Sequence, residues 1–385
     1  MAVPEKFTEA FEPLHQAAAA ATGLDDFGPP TYHEGLHQLL TALDQDGRVA
    51  GPRREALFGM LTGVLVRRLY TQEGWRRNPG YRDVRIERPL VITGIPRTGT
   101  TALHKLLALD PQFQGVERWL AITPMPRPPR QNWSQKAEFN ACVAGLEEFL
   151  AAMPGFADAH EMTADSVDEC LEVLQQDFVS NTFPSQLAVP AYLHWWREES
   201  ETTSYQRYAD VLRLIGLDDQ DRRWLLKNPG HIWGIDDLLA LFPDALVVQT
   251  HRDPAKAMPS VCRVLEMPQS MYLGENVRPE EIGPPEVDKW RSAVDRTERA
   301  RRRHPDNFHD VRHADFRADP IATIDSVYSK LGLSLPADVE TTMRTWLYEQ
   351  PEERRRGADA DPARYGLSAA ALRERFADYI TTYAL

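Results

Sequence analysis

The residues best suited to chemistry lie in the segment Gly94-Ile-Pro-Arg-Thr-Gly-Thr-Thr101. Glycines at this spacing let the chain turn tightly, so that backbone N–H groups and the start of a following helix can surround an anion. The spacing matches a Walker A loop, but Thr100 stands where the lysine that reaches the outer phosphates of ATP would be. Arg97 supplies a guanidinium inside the loop instead, which can grip a phosphate or sulfonate oxygen through paired donors. The segment predicts an anion-binding loop, and a generic strand-to-helix turn is the alternative.

A second cluster follows the predicted strand 244–250. Arg252 lies in His251-Arg-Asp-Pro254, and Ser260 follows it within a predicted helix. The planar guanidinium of the arginine can donate two parallel hydrogen bonds to a phosphate, and a hydroxyl one or two helical turns later adds a neutral donor. The alternative is that Arg252 pairs with a nearby acid, either Asp253 or Asp244, as most charged residues do.

Together these two motifs resemble the sulfotransferases that depend on PAPS (3′-phosphoadenosine-5′-phosphosulfate). Pro96-Arg-Thr-Gly-Thr-Thr101 is similar to their 5′-phosphosulfate loop, usually PKSGTT or PRSGTT, and most similar to the bacterial branch. Arg252 and Ser260 match the pair that binds the 3′-phosphate in this family. The similarity continues through Val311-Arg-His-Ala-Asp-Phe316, Asp319-Pro320 and Leu331-Gly-Leu333, so it covers roughly residues 85–385.

The resemblance implies that the chain moves the sulfonate of PAPS to an acceptor hydroxyl by in-line displacement and releases PAP. It also implies nucleotide-binding residues: Arg97, Thr98, Gly99, Thr100, Thr101, Arg252 and Ser260. A basic loop near the C-terminus closes over the nucleotide in the family, and its nearest counterpart here is Arg355, Arg356 and Gly357. A solvated run of charges is the alternative for that loop.

Sulfonate transfer needs a base for the acceptor proton, and the resemblance suggests Glu117 and His160. Glu117 follows the phosphate-loop helix, where tyrosylprotein sulfotransferases and several bacterial relatives place a catalytic glutamate. His160, next to Glu161, resembles a segment near the acceptor in the bacterial branch. A surface charge is the alternative for Glu117.

Lys227 and His231 are the remaining catalytic candidates, in Leu226-Lys-Asn-Pro-Gly-His231. Lys227 matches the family lysine that contacts the bridging oxygen or the sulfonate. His231 departs from the family pattern because it lies four residues after the lysine instead of two, so helix capping is an equal alternative. His104, within the phosphate-loop helix, is interpreted as packed or solvent-facing.

Two other functions remain open. A P-loop kinase or NTPase is disfavoured because the Walker lysine is missing. A catalytically inactive module that keeps the fold and binds nucleotide is the second alternative, although the nucleotide contacts implied by the resemblance are all present.

The composition excludes several classes. The net charge of −13 argues against a general nucleic-acid binder, because such proteins grip phosphates with excess Lys and Arg. Three widely spaced cysteines give neither a disulfide framework nor a zinc site, so we expect no metal and a cytoplasmic protein. The N-terminus lacks the pattern of a signal peptide, and no segment approaches the roughly 18 apolar residues that span a bilayer.

The elements that must position these residues alternate in type. Apolar spacing predicts amphipathic helices over the first ~75 residues, then a strand at 90–93 and a helix at 101–109. Helical patterns at 134–150 and 165–178 are interpreted as acceptor-side elements. Strands at 224–226, 245–250 and 308–312 alternate with helices at 232–241, from 255, and at 320–331. This order predicts a P-loop-like three-layer α/β sandwich with a mostly parallel sheet and additional helices.

We expect a single domain, 1–385, made of a helical extension (1–85), an α/β core (86–335) and a C-terminal helical and basic segment (336–385). The acceptor is predicted only as a small molecule with a hydroxyl. The aromatic and proline-rich stretches 184–196 and 265–272 suit an apolar cleft for a phenol, sterol, lipid or glycolipid. Core packing or contact between copies of the chain in a homo-oligomer are equal alternatives for them.

Overall fold

The structure is a computed structural model, and it describes residues 3–152, 162–349 and 360–385. Its contacts divide the chain into two compact units. The first comprises Met1–Arg85, Val116–Gln220 and Met267–Val277, and the second comprises Ile86–Gly115, Asp221–Glu266 and Arg278–Leu385. Residues 116–220 thus group with the N-terminal helices. The expectation of a single domain stays a prediction.

The second unit contains a five-stranded sheet in the order β2-β3-β1-β4-β5, and all of its strands run parallel. The strands are β1 (Leu90–Gly94), β2 (Phe113–Gln114), β3 (Arg223–Lys227), β4 (Leu246–His251) and β5 (Phe308–Arg312). Every residue of β1 and of β4 is buried, as expected for strands covered on both faces. The predicted α/β class is confirmed, and β2, only two residues long, is the strand that the sequence pattern missed.

The register brings three strand ends to one edge of the sheet. Ile92 in β1 lies opposite Lys227 in β3 and Val248 in β4, and Gly94 lies opposite Thr250. Ligands of open parallel sheets bind beyond the carboxyl ends of the strands. The segments that follow β1, β3 and β4 contain the predicted anion-binding loop, His231 and Arg252.

The apolar core of the second unit lies between the sheet and three helices. Leu103 and Leu107 from one helix, Ile324 and Tyr328 from another, and Met343 from a third all belong to the same buried cluster as β1. The helices that begin in this unit are Thr100–Leu107, Ile235–Leu241, Pro254–Leu273, Pro279–Arg303, His313–Ala318, Pro320–Leu331, Ala337–Glu349, Ala369–Arg375 and Ala377–Tyr383.

The first unit is helical in the part that the structure describes, apart from one isolated bridge. Its helices are Phe11–Thr22, His33–Asp46, Pro52–Arg77, Arg118–Ile122, Ala137–Ala152, Leu171–Leu174, Thr182–Leu187, Pro190–Glu198 and Thr202–Ile215. The side chains of Leu57, Leu61, Val64 and Leu65 are all buried. The periodicity therefore predicted the N-terminal helices correctly.

The predicted helix at 165–178 is mostly wrong. Only Leu171–Leu174 is α-helical there, followed by a short 3-10 turn. Val167 instead forms an antiparallel bridge with Glu117, and the N–H of Asp168 donates to the carbonyl of Val116 at 2.8 Å. Backbone pairing with a distant segment outweighs the local helical spacing.

Two kinds of feature are absent from the described ranges. No helix within 3–152, 162–349 or 360–385 has the length and hydropathy needed to cross a bilayer. The same ranges contain no group of three or more His, Cys, Asp and Glu side chains arranged to hold a metal ion.

Candidate active site

The loop after β1 requires its glycines. Gly94 and Gly99 have φ angles of 140° and 97°, which favour glycine. A Cβ on Gly94 would lie 2.5 Å from the carbonyl oxygen of Thr250, so no side chain fits between β1 and β4 at this point. Arg97 also has a positive φ, 69°, an uncommon backbone conformation for a residue other than glycine. Strained residues of this kind cluster at functional sites.

The two predicted anion-binding clusters meet in the second unit. Arg97 Nε donates to Ser260 Oγ at 3.1 Å, and Arg252 Nη1 donates to the carbonyl oxygen of Arg97 at 2.9 Å. The acids considered as alternative partners of Arg252 are engaged elsewhere, since Asp253 pairs with Arg373 at 3.0 Å and Asp244 accepts the N–H of Arg88. Residues more than 150 positions apart thus surround one loop.

The threonines of the loop connect it to the neighbouring strands. Thr98 Oγ1 lies 2.7 Å from the carbonyl oxygen of Ile95 and 2.5 Å from Thr250 Oγ1. Thr100 starts the helix Thr100–Leu107. Lys227 Nζ donates to Thr101 Oγ1 at 3.1 Å, although this lysine is only 2% exposed. A buried ammonium group therefore lies at the start of the helix, where the backbone also favours an anion.

A cavity of about 490 Å³ lies beside Arg252, and its lining includes Lys256, Arg312, His313 and Arg317. The pKa of His313 is lowered to about 4 by burial first, and then by Arg252, Arg317, Lys256 and Arg97. The cations are the smaller part of this shift, and a bound anion would offset that part. Asp253 and Asp315 also line the cavity.

The sequence interpretation missed Lys256 and His313. Lys256 lies in the first turn of the helix Pro254–Leu273, just after Arg252, and no motif marked it. His313 follows β5 and lies in the segment that resembles the family's late strand, but no residue type or spacing marked it as part of the site.

The two histidines near β3 are neutral at physiological pH. Burial lowers the pKa of His231 to about 3, and the backbone N–H of this residue donates to Asn228 within a 3-10 turn. His104 has a pKa of about 3 because of burial and, second, Lys227. Among the described residues, Nε2 of His104 has no hydrogen-bond partner. His104 is thus packed, the first of its two alternatives, and a catalytic role for His231 stays a prediction.

Glu117 lies in the first unit and is only 6% exposed, so the surface-charge alternative is wrong. Arg127 donates to its Oε2 through both Nε and Nη2 at 3.0 Å, and Arg127 Nη1 donates to Asp219 at 3.1 Å. Within the described ranges, all hydrogen bonds to the Glu117 carboxylate fall on Oε2. Arg127 comes ten residues after Glu117, and no motif marked it.

Some predicted site residues fall outside the described residues: His160, Arg355, Arg356 and Gly357. The aromatic stretches are described and are buried only in part. Tyr192, Trp196 and Tyr272 are buried, which favours core packing for these three side chains, whereas Met271 is exposed.

Comparison with known proteins identifies the class. A model of the sulfotransferase family matches residues 89–337, more than half of the chain. The chain therefore belongs to the sulfotransferase family, and the resemblance stated from its motifs is confirmed.

Two crystal structures are similar over nearly the whole chain. Sulfotransferase STF1 of Mycobacterium tuberculosis is 36% identical, with a TM-score of 0.88 over 97% of this chain and 100% of that one. Sulfotransferase STF9 of Mycobacterium avium is 27% identical, with a TM-score of 0.87 over 97% of each chain.

A curated relative is more distant. The omega-hydroxy-beta-dihydromenaquinone-9 sulfotransferase Stf3 of Mycobacterium bovis is 24% identical over 267 residues. The match covers 64% of this chain and 63% of the relative, so it spans less than two thirds of the length of that protein.

Proposed function

We propose that this protein transfers the sulfonate of PAPS to an acceptor hydroxyl and releases PAP. In the reaction, the acceptor oxygen forms a bond to sulfur while the bond from sulfur to the phosphate oxygen of PAPS breaks. The acceptor proton passes to a base on the protein. Family membership supports the reaction class, and the residues around the loop after β1 support the donor.

One observation carries the proposal for the donor. Arg97 and Arg252 are joined to each other and to Ser260 around a glycine loop in which Thr100 stands at the Walker lysine position. In this arrangement the loop N–H groups and Arg97 hold the 5′-phosphosulfate, and Arg252 with Ser260 holds the 3′-phosphate. Lys256 and Arg317, which line the cavity beside Arg252, further support an anionic ligand there.

Lys227 and Glu117 carry the proposed chemistry. The Lys227 ammonium, held on Thr101 at the start of a helix, stabilises charge on the sulfonate and on the departing phosphate oxygen. The Glu117 carboxylate, fixed by Arg127 through Oε2, takes the acceptor proton on Oε1. His231 and His160 remain predicted alternatives for the base, and Arg355, Arg356 and Gly357 remain predicted nucleotide contacts.

The acceptor that we propose is an apolar molecule with a free hydroxyl. The Stf3 relative is named as a sulfotransferase for omega-hydroxy-beta-dihydromenaquinone-9, a menaquinone derivative with a hydroxyl group. A cytoplasmic location and self-association also remain predictions from the sequence.

The direct test is a binding and transfer experiment. The purified chain is titrated calorimetrically with PAP and, separately, with ATP and Mg²⁺, and is then incubated with radiolabelled PAPS and a lipid extract. We expect PAP to bind and a labelled lipid sulfate to form. Tighter binding of ATP with Mg²⁺ would favour the kinase or NTPase alternative. PAP binding without transfer to any hydroxyl compound would favour the inactive module.

A further inference from the structure

The first unit contains a cavity of about 590 Å³ beside the helix Ala137–Ala152. This helix contributes Cys142, Gly145, Leu146 and Phe149 to the lining, and Ile122 contributes from a second helix. The volume lies within the roughly 300–1,000 Å³ of small-molecule sites, and such sites are lined mainly by apolar groups. The cavity can therefore hold an organic molecule of substantial size.

The net charge of the lining is small, so the cavity has little electrostatic attraction for an ionic ligand. Arg118 forms an ion pair with Asp168 at 2.6 Å, and the one acidic lining residue is Glu138. Burial raises the pKa of the Cys142 thiol, so this sulfur is neutral at physiological pH. Tyr70 and Thr123 add hydroxyl groups. This chemistry suits an uncharged apolar body better than a polyanionic glycan.

The cavity is also close in the chain to the proposed base. Glu117 precedes the helix Arg118–Ile122, and both ends of that short helix, Arg118 and Ile122, line the cavity. The segment that holds the candidate base therefore also forms one side of an apolar cavity within the same unit.

We infer that this cavity binds the apolar body of the acceptor, and that the acceptor is an alcohol with a long aliphatic or isoprenoid chain. The inference rests on the proposed function for the identity of the acceptor as a hydroxyl compound. It adds the binding site and the chemical class of the molecule that carries this hydroxyl.

Gly145 offers a way to fill the cavity selectively. A Cβ at this position meets no other heavy atom within 4 Å, and Gly145 lines the cavity, so we expect the leucine of a Gly145→Leu variant to extend into it. Gly59, in the helix Pro52–Arg77 of the same unit, has equally open space around it and does not line the cavity. Because leucine is a better helix former than glycine, neither Gly145→Leu nor Gly59→Leu should weaken its helix.

The first experiment measures binding without chemistry. The probe is the fluorescent anthranilate ester of geraniol, which has no hydroxyl to sulfonate. We expect the wild-type protein and Gly59→Leu to bind the probe equally. Gly145→Leu should bind it at least about tenfold more weakly, which is the loss typical of a group that does not fit the size of an apolar pocket. Equal binding by all three proteins, or by none of them, would overturn the inference.

The second experiment measures transfer from PAPS to ethanol, octanol, farnesol and geranylgeraniol. We expect kcat/KM of the wild-type protein to rise along this series, and Gly145→Leu to lower it by about tenfold or more for farnesol. The Kd of PAP, measured in parallel, should not change. A wild-type protein that binds PAP and sulfonates only short or polar alcohols would refute the inference and leave the proposed function standing.

Failure of the proposed function gives a different pattern. In that case the wild-type protein does not bind PAP and modifies no alcohol, whereas the anthranilate probe still reports whether an apolar ligand occupies the cavity. Equal losses of transfer in Gly145→Leu and Gly59→Leu would indicate a general effect of leucine on these helices and would count against the inference.

Discussion

The loop after β1 and the surroundings of Glu117 both concentrate charged side chains, but the groups that their arginines contact include different chemistry. Around the loop, Arg97 bonds a hydroxyl and Arg252 a carbonyl oxygen, and their positive field contributes to the low pKa of His313. Around Glu117, the cation Arg127 lies between two carboxylates, those of Glu117 and Asp219, at 3.0 and 3.1 Å.

Because of this difference, we expect the loop arginines to contribute mainly to ligand binding and Arg127 to contribute mainly to the stability of the fold. Cations that act together on a cavity stabilise an incoming anion, so their removal should affect ligand affinity more than folding. A buried cation between carboxylates compensates their negative charge. Its removal leaves those carboxylates without a partner and should therefore affect folding first.

Glu117→Gln should lower the rate of sulfonate transfer by about 10²–10⁴, because a carboxamide cannot take the acceptor proton. The Kd of PAP should stay the same, since the nucleotide contacts belong to the loop after β1. Single-turnover kinetics with PAPS and calorimetry with PAP test both parts. The control is Glu55→Gln, the same change at an exposed helical position of the same unit, and it should leave the transfer rate unchanged. A transfer rate within a few-fold of the wild type would show that another group is the base.

Arg127→Met should lower the free energy of unfolding by about 3–5 kcal/mol, because it leaves the buried Glu117 carboxylate and the partly buried Asp219 carboxylate without their cation. Urea denaturation gives the value. Adding Glu117→Gln should restore part of the loss, since one of those carboxylates then becomes neutral. An unchanged midpoint in Arg127→Met would mean that this ion pair contributes nothing to folding, and the proposed contrast between the regions would be lost.

Arg252→Met should weaken PAP binding by about 10–100-fold, the loss expected for hydrogen bonds to a charged group, which are worth about 1.5–3 kcal/mol. Its free energy of unfolding should change much less than that of Arg127→Met. Calorimetric titration and urea denaturation of the same samples test this difference. Arg344→Met, which removes an exposed cation paired with Glu340 in the second unit, should leave PAP binding unchanged.

His313 should give the protein a small pH dependence of stability. Its folded pKa of about 4 lies below the usual 6.5, so the unfolded chain binds the proton more readily. The stabilisation is complete above pH 6.5 and is lost as the pH falls towards 4, by about 1 kcal/mol after allowing for solvent screening.

His313→Asn should remove this part of the pH dependence in thermal unfolding curves. Bound PAP should reduce it, because the anion raises the pKa of His313 towards its ordinary value. A pH dependence that is unaffected by both the substitution and PAP would argue against a positive field at this residue.

The motifs predicted much of the second unit because its signals are local. The apolar run at β1, the glycine spacing and the helical pattern after Thr100 identified strand, loop and helix with nearly correct bounds. The helix expected at 165–178 was wrong because Val167 pairs with Glu117, a contact that the local pattern does not encode. Gly145 and Cys142 carried no motif, so the cavity beside them could not be predicted.

The sequence by itself determined the anion-binding loop, because its glycines, Arg97 and the missing Walker lysine are properties of residue type and spacing. It indicated the reaction class through the resemblance of its motifs to the sulfotransferases. The tertiary structure decided which side chains share an environment. Only folding brings Ser260 to Arg97, buries Arg127 against Glu117 and places His313 among cations. Burial, charge compensation and electrostatic field depend on residues distant in the chain, so local pattern cannot specify them.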